Sequence, residues 1–377
     1  MAFRDMINAN IDNSDSNMTN ATDIIVPMYI TVWVIFANIL VFLVGVLGNL
    51  LVIIVVLCVR EMKTATNLCL MNLSVADLLV LIICQPSSLL EFFYEEIWLI
   101  GNVMCKLVNF LESFVTVASI LIILMISLER FWAVYYPLKT HTSGSRSKAM
   151  ITIAVVWVIA AVAASPFLVM AHTETTPHVH KTDLVEVCVM PMVHLWERIY
   201  LVCSFVLIFV IPMLLLVFLY NMIIHKVISE TMECKQMTES AKSQSQQNRR
   251  QLVIMLVGII VLFFVCLLPF RILGLYQVFA LSVLTPECYL NVINFCRLLV
   301  YINSAGNPII YNIVSTKFRR AFHKVLRLYC CCCKKRILLS RGAMNGTYSH
   351  DTRMTTMSHY STVKQDMNDG SDTGDAV

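Results

Sequence analysis

Seven long apolar segments constrain the fold of this chain more than any other feature of its sequence. A transmembrane helix needs roughly 20 predominantly apolar residues, and these segments lack the alternation expected of a barrel strand. Only 14% of the 377 residues are charged, against about 25% in a typical soluble domain. We therefore predict an all-α membrane protein, a bundle of seven transmembrane helices. The predicted spans run about Tyr29–Val59, Asn67–Phe93, Val103–Tyr135, Ala149–Ala171, Leu195–Val227, Leu252–Ala280 and Tyr289–Val314.

The distribution of lysine and arginine predicts which side of the membrane each loop faces. Basic residues are concentrated after the first, third and fifth spans and at the start of the C-terminal tail, for example at Arg60, Lys63 and Lys317. Cytoplasmic loops carry this excess, so we expect the N-terminus outside the cell and the C-terminus inside, in the plasma membrane. The net charge of +4 is too small and too diffuse to indicate nucleic-acid binding.

The spans divide the chain into four predicted regions. Residues 1–28 form an extracellular tail, 29–314 the transmembrane domain, 315–329 a short amphipathic eighth helix beside the membrane lipid, and 330–377 a disordered cytoplasmic tail. The last region is rich in Ser and Thr, spaced like targets of receptor kinases. We expect phosphates there to recruit arrestin through its basic surface.

Two covalent modifications are predicted in the terminal regions. Asn17 and Asn20 each begin an Asn-X-Thr sequon on the outer side, where they can carry glycans. Four adjacent cysteines follow the amphipathic segment and are expected to be palmitoylated. Four neighbouring thiols cannot wrap one tetrahedral ion well, which argues against a metal site. These cysteines are Cys330, Cys331, Cys332 and Cys333.

A disulfide is predicted on the outer side of the membrane. Cys105 stands at the outer end of the third span and Cys188 in the outer loop before the fifth. We expect these two to be bonded in the oxidising exterior. Cys288 and Cys296 are an alternative outer pair, although Cys296 should lie inside the seventh span.

Strongly polar residues interrupt the apolar spans at a few positions. Such residues are costly in a bilayer, so each is a candidate for function. They are Asn49 in the first span, Asp77 in the second, Glu129 and Arg130 at the end of the third, and Asn303, Ser304, Asn307 and Tyr311 around Pro308 in the seventh.

In these motifs and their order the chain resembles the rhodopsin-like G-protein-coupled receptors, over about residues 30–328. Trp157, Pro212, Tyr220, Phe263 and Pro269 also fit the family pattern. The resemblance implies that an acid holds an arginine at the cytosolic end of the third helix in the resting state. When the sixth helix swings outward, the arginine meets a heterotrimeric G protein. Kinks at the prolines would supply the two-state element.

The residues of this predicted switch are Glu129, Arg130 and Tyr220. Two departures from the family pattern affect it. The third span ends Glu-Arg-Phe rather than the commoner Asp-Arg-Tyr, which keeps both charges. Leu267 stands where most members have tryptophan, so we expect Phe263 to be the remaining aromatic relay in the sixth helix.

Asp77 is an isolated carboxylate at mid-membrane depth and needs a cation or a proton. Ser119, Asn303 and Asn307 could complete an oxygen-lined pocket for a structural sodium ion, near Asn49 and Tyr311. The alternative is a protonated Asp77 that hydrogen bonds to Asn49. No other cofactor is predicted.

The predicted ligand pocket opens outward between the third, fifth, sixth and seventh helices. Glu112 lies seven residues, or about 10 Å, below Cys105. Arg271, two residues above Pro269, and Arg297, on the outer half of the seventh helix, add two cations. One acid with two bases suits a zwitterionic or amidated peptide. Alternatively, Arg297 neutralises Glu112 in an unliganded pair. The predicted ligand-binding residues are Glu112, Ser113, Thr116, Phe270, Arg271, Arg297 and Tyr301.

Local strings narrow the resemblance to peptide receptors. Trp98-Leu99-Ile100-Gly101-Asn102 and Leu268-Pro269-Phe270-Arg271 look like the receptors for thyrotropin-releasing hormone, growth hormone secretagogues and ecdysis-triggering hormone. The resemblance implies a short, C-terminally amidated neuropeptide or peptide hormone, with a calcium-mobilising G protein favoured. A receptor for a small non-peptide ligand and a membrane transporter are the alternatives. The chain shows no inverted repeats of the transporter kind, and no catalytic residues indicate an enzyme.

Overall fold

The computed structural model describes residues 27–94, 97–136, 146–177, 184–234, 240–279 and 286–327. The helices lie in one compact unit, Met1–Val325; of the remaining unit, Leu326–Val377, only the first two residues are described. The predicted glycosylation sites, the four adjacent cysteines and the Ser/Thr-rich tail fall outside the described residues.

Each predicted span is a helix, as expected for an all-α membrane bundle. A further helix at 316–327 occupies the position predicted for the amphipathic eighth helix. The spanning helices, numbered one to seven in chain order, are Met28–Cys58, Ala65–Phe93, Gly101–Tyr135, Arg146–Ala164 with a last turn at Phe167–Met170, Leu195–Ser204 continuing through Phe205–Val210 to Ile211–Cys234, Ser240–Val278 and Pro286–Val314.

Six of the described helices, the first to the sixth, are long and apolar enough to cross a membrane. The seventh has 29 residues and packs between the first and the sixth. It is less apolar because it carries Arg297 and a polar segment around Asn303 and Asn307. The outward faces of the helices are apolar too: Phe36 is 71% exposed and Val162 is 68% exposed. Apolar side chains on both the inner and outer faces are typical of helices surrounded by lipid.

Two helices contain a widened π-turn directly before a proline. Val80–Cys84 precedes Pro86 in the second helix, and Phe205–Val210 precedes Pro212 in the fifth. A proline has no N–H to donate and its ring collides with the carbonyl one turn earlier, so a wider preceding turn relieves the clash. These turns set the direction in which later side chains of both helices point.

The loop between the fourth and fifth helices forms a β-hairpin, which the sequence did not predict. Strand β1, His172–Pro177, pairs antiparallel with β2, Leu184–Val189. The Trp98 backbone N–H donates to the Glu186 carbonyl over 2.8 Å, which ties the hairpin to the loop before the third helix. This is the one strand pair in the described part of an otherwise helical chain.

Glycines bring the first and seventh helices into close contact. A Cβ added to Gly48 would lie 2.9 Å from the Pro308 side chain, and one added to Gly45 would lie 3.1 Å from the Ala305 Cβ. In lipid, helices associate through van der Waals packing rather than the hydrophobic effect, and small residues let their backbones approach closely. The contact places Asn49, next to Gly48, against the polar segment of the seventh helix.

Candidate functional site

The outer end of the third helix is fixed by the predicted disulfide. Cys105 and Cys188 are bonded, with an S–S distance of 1.97 Å and their Cα atoms 5.6 Å apart. The bond pins strand β2 above the helical bundle. The alternative pair does not form, because Cys296 is buried in the seventh helix whereas Cys288 is exposed near its start.

Below the disulfide, the structure brings together the three charged residues predicted for the pocket. Glu112 of the third helix is close enough for its charge to interact with those of Arg297 and Arg271, on the seventh and sixth helices. The charge of Arg271 also interacts with Tyr200 of the fifth helix. The site therefore spans the four helices that the sequence indicated.

A second acid, Glu91, corrects the predicted charge balance. Glu91 Oε2 lies 3.0 Å from Arg297 Nη2, and the two side chains are 18% and 26% exposed. The prediction of one acid and two bases is therefore wrong, since the cluster holds two of each. Of these two acids, Glu91 forms a direct ion pair with Arg297. Applying to Glu91 the cost of a charge inside a span would have identified it.

Tyr301 links the same two helices one turn deeper. Its hydroxyl donates to Ser88 Oγ over 2.8 Å, and its side chain is 2% exposed. Tyr301 also lies within electrostatic reach of Glu112 and Arg297. It is therefore part of the charged cluster, as predicted, whereas its partner Ser88 was not foreseen.

The other predicted pocket residues lie near this cluster with different contacts. Ser113 is buried next to Glu112 in the third helix. The Thr116 hydroxyl donates to the backbone carbonyl of Glu112 over 2.7 Å, so its hydrogen bond is made within the third helix. Phe270 packs with Leu273 in an apolar cluster between the sixth and seventh helices.

Asp77 is buried deeper in the bundle, at 1% exposed, and is held by the seventh helix. Asn307 Nδ2 donates to Asp77 Oδ2 over 2.9 Å. Asn49 instead donates to the carbonyls of Gly45 and Ser304, over 2.9 and 3.0 Å. The Asn49 amide nitrogen therefore does not donate to Asp77, and whether Asp77 carries a proton or faces a sodium ion stays a prediction.

Several oxygens near Asp77 are buried and lack a hydrogen-bond partner among the described protein atoms. A buried polar atom without a partner is costly, so this group could accept a cation or bind water. Among the described residues, the predicted neighbours Ser119 and Asn303 are buried but do not hydrogen bond to Asp77. The oxygens are Asn49 Oδ1, Ser74 Oγ, Asn307 Oδ1 and the Tyr311 hydroxyl.

At the opposite end of the third helix, the predicted switch residues form a three-membered cluster. Glu129 Oε1 lies 3.2 Å from Arg130 Nη2. The same Nη2 donates to Thr66 Oγ1, and the Thr66 hydroxyl donates to Glu129 Oε2 over 3.4 Å. Thr66, at the start of the second helix, was not predicted. No pattern in the sequence distinguishes it from any threonine in a helical first turn.

The remaining switch residues form a packed path between the fifth and sixth helices. Ser127 Oγ lies 3.3 Å from the hydroxyl of Tyr220, which is buried beside the third helix. The ring of Phe263 is 5.3 Å from that of Phe264, which is 5.1 Å from Phe209 of the fifth helix. Phe263 thus reaches the fifth helix through Phe264, and its role as a relay stays a prediction.

The sequence profile of the 7 transmembrane receptor (rhodopsin family) matches residues 48–311. A QRFP-like peptide receptor of Branchiostoma floridae is 31% identical over 294 residues, covering 77% of this chain and 76% of the relative. Growth hormone secretagogue receptor type 1 of Sus scrofa is 32% identical over 297 residues, covering 76% and 78%. The Homo sapiens receptor of that name is 31% identical over 295 residues. With the helices, the disulfide and the polar residues of the pattern in place, the chain belongs to the rhodopsin family of seven-transmembrane receptors.

Proposed function

We propose that the chain is a receptor for a neuropeptide or peptide hormone and that it switches on a heterotrimeric G protein. The observation that carries the proposal is the outer cluster of two acids and two arginines, Glu91, Glu112, Arg271 and Arg297. The names of its relatives, a QRFP-like peptide receptor and a growth hormone secretagogue receptor, support the same ligand class. Members of this family are receptors rather than enzymes.

The charges of the cluster favour a peptide over other small ligands. A monoamine needs one carboxylate and leaves the two partly buried arginines without a ligand group to bind. A lipid needs an apolar pocket, and desolvating four charged groups for it would be costly. A peptide brings backbone carbonyls, a terminal amide and basic side chains, each of which can meet one of these groups. A short, C-terminally amidated peptide fits best, and a receptor for a small non-peptide ligand is the alternative.

The other partners follow from the orientation that the basic loops predict. With the N-terminus outside, the cluster faces the extracellular space and Arg130 faces the G protein, for which the calcium-mobilising class is favoured. Receptor kinases and arrestin would act on the C-terminal tail, and membrane lipid would surround the helices. A sodium ion at Asp77 would stabilise the resting state, and the partnerless oxygens near it support that site.

The experiment is a screen of synthetic amidated peptides on cells expressing the chain, with calcium and cyclic-nucleotide readouts. We expect an amidated peptide to raise calcium in these cells and not in untransfected ones. The matched control is Arg130→Ala, which should bind the same labelled peptide and give no signal. An activating monoamine or lipid, with no active peptide, would contradict the proposal.

A further inference from the structure

Two side-chain contacts join the second and seventh helices at the outer side of the pocket. Glu91 and Ser88 are three residues apart on the second helix, and Arg297 and Tyr301 are four apart on the seventh. Both spacings place side chains on one face of a helix. Glu91 pairs with Arg297 over 3.0 Å, and one turn deeper Tyr301 donates to Ser88 over 2.8 Å. The two contacts therefore hold the same pair of helix faces together.

The other two charges of the cluster are arranged differently. Glu112 and Arg271 interact electrostatically, and among the described residues neither forms a direct ion pair. They come from the third and sixth helices, whereas the two joined faces belong to the second and seventh. Both groups thus retain hydrogen-bonding capacity for a molecule that enters between them.

We propose that Glu91 is a positioning residue that holds Arg297 between the second and seventh helices, so that Glu112 and Arg271 are the charged groups that contact the ligand. This inference rests on the proposed peptide function and refines its ligand class. Such a ligand presents a cationic group to Glu112 and, beside it, a carbonyl, amide or carboxylate oxygen to Arg271. Substitutions of Arg297 act on the shape of the pocket rather than on a ligand contact.

The link between Glu91 and Arg297 is tested without ligand, by thermal unfolding of the purified receptor. We expect Glu91→Gln and Arg297→Gln each to lower Tm by about 2–4 °C. The Tm of the double variant should be no lower than that of the less stable single variant, because both substitutions remove the same contact. Glu91→Asp, and the exchange of Glu91→Arg with Arg297→Glu, should regain part of the loss. The control combination Glu61→Gln with Arg297→Gln should be additive, because Glu61 is exposed at the opposite end of the bundle.

The ligand contacts are tested with two synthetic hexapeptide-amide libraries that are identical except for arginine or its neutral isostere citrulline at one fixed position. On the wild type we expect the arginine library to be roughly ten- to a hundredfold more potent in calcium release. Glu112→Gln should remove that preference. Glu91→Gln should lower the potency of both libraries and keep the preference.

Each outcome bears on a different statement. Additive Tm losses for the Glu91 and Arg297 variants would overturn the link between them. An arginine preference that is absent in the wild type, or lost in Glu91→Gln and kept in Glu112→Gln, would overturn the ligand assignment. If neither library activates a wild type present at the surface, the peptide function fails together with that assignment, and the Tm measurements still decide the link.

Discussion

Replacing Glu129 by glutamine should raise signalling in the absence of ligand. Glu129 lies 3.2 Å from Arg130 and accepts a hydrogen bond from Thr66, which in turn accepts one from Arg130. Glutamine keeps the size of the side chain and removes its charge. Of these two partners, only Thr66 would then hold Arg130, so the free-energy difference between the resting and active states would be smaller.

The magnitude follows from the exposure of the pair. Glu129 is 36% exposed and Arg130 is 23% exposed, so solvent screens part of their attraction. An exposed pair contributes about 0–1 kcal/mol and a charge-assisted hydrogen bond about 1.5–3. We therefore take about 1–1.4 kcal/mol for this partly exposed contact. Its loss would change the equilibrium between resting and active states roughly five- to tenfold. An active population of about 1% would rise to about 5–10%.

The assay is ligand-independent calcium or cyclic-nucleotide signalling, normalised to receptor at the cell surface. Glu61→Gln is the matched control, because Glu61 is exposed at the same end of the bundle and forms no ion pair among the described residues. Thr66→Val should change basal signalling less than Glu129→Gln, in the same direction. Unchanged basal signalling in Glu129→Gln at equal surface expression, with Arg130→Ala signalling at the wild-type level, would refute the reasoning.

Three further outcomes are expected. Cys105→Ala or Cys188→Ala should remove peptide binding or surface expression, because the bond fixes the hairpin over the pocket; normal peptide affinity in both would contradict this. Raising sodium should lower agonist affinity, and Asp77→Asn should flatten that dependence; an unchanged sodium response in the mutant would argue for a protonated aspartate. Arg271→Ala should weaken peptide potency roughly ten- to a hundredfold at unchanged surface expression, measured by calcium dose–response. Arg297→Ala should lower it too, and normal potency in both arginine variants would contradict a charged peptide pocket.

The helices and the polar centres were predictable because both depend on local composition. An apolar run of sufficient length must be a helix in lipid, since every backbone N–H and C=O needs a partner within the segment. Asp77 and Arg130 stood out for the opposite reason: a charge in such a run is tolerated only where it serves a purpose. Adjacent positions in the chain also placed Glu129 beside its arginine.

Partners on other helices were less predictable because they depend on the rotation of each helix. The sequence left open a hydrogen bond between Asn49 and a protonated Asp77, as the alternative to a sodium site. Instead, the close approach at Gly48 directs the Asn49 amide to the Ser304 carbonyl, and Asn307 takes Asp77. The sequence placed Asn307 near Asp77 but did not predict that the Asn49 amide donates to the Ser304 carbonyl. Hydropathy indicates how deep a residue lies along its helix, but it does not indicate which residues of other helices it contacts.

The second helix shows why the partner of Glu91 on the seventh helix could not be predicted, although its charge inside a span marks it as a candidate. An α-helix turns about 100° per residue, so the extra residue of a π-turn rotates everything beyond it by about that amount. The π-turn at Val80–Cys84 lies between Asp77 and Glu91, so counting residues from Asp77 does not give the face on which Glu91 lies. Pro86 indicates that the helix is irregular without indicating whether it kinks or widens. The widened turn before a proline, rather than the hydropathy of the span, therefore decides which side chains of this helix reach the pocket.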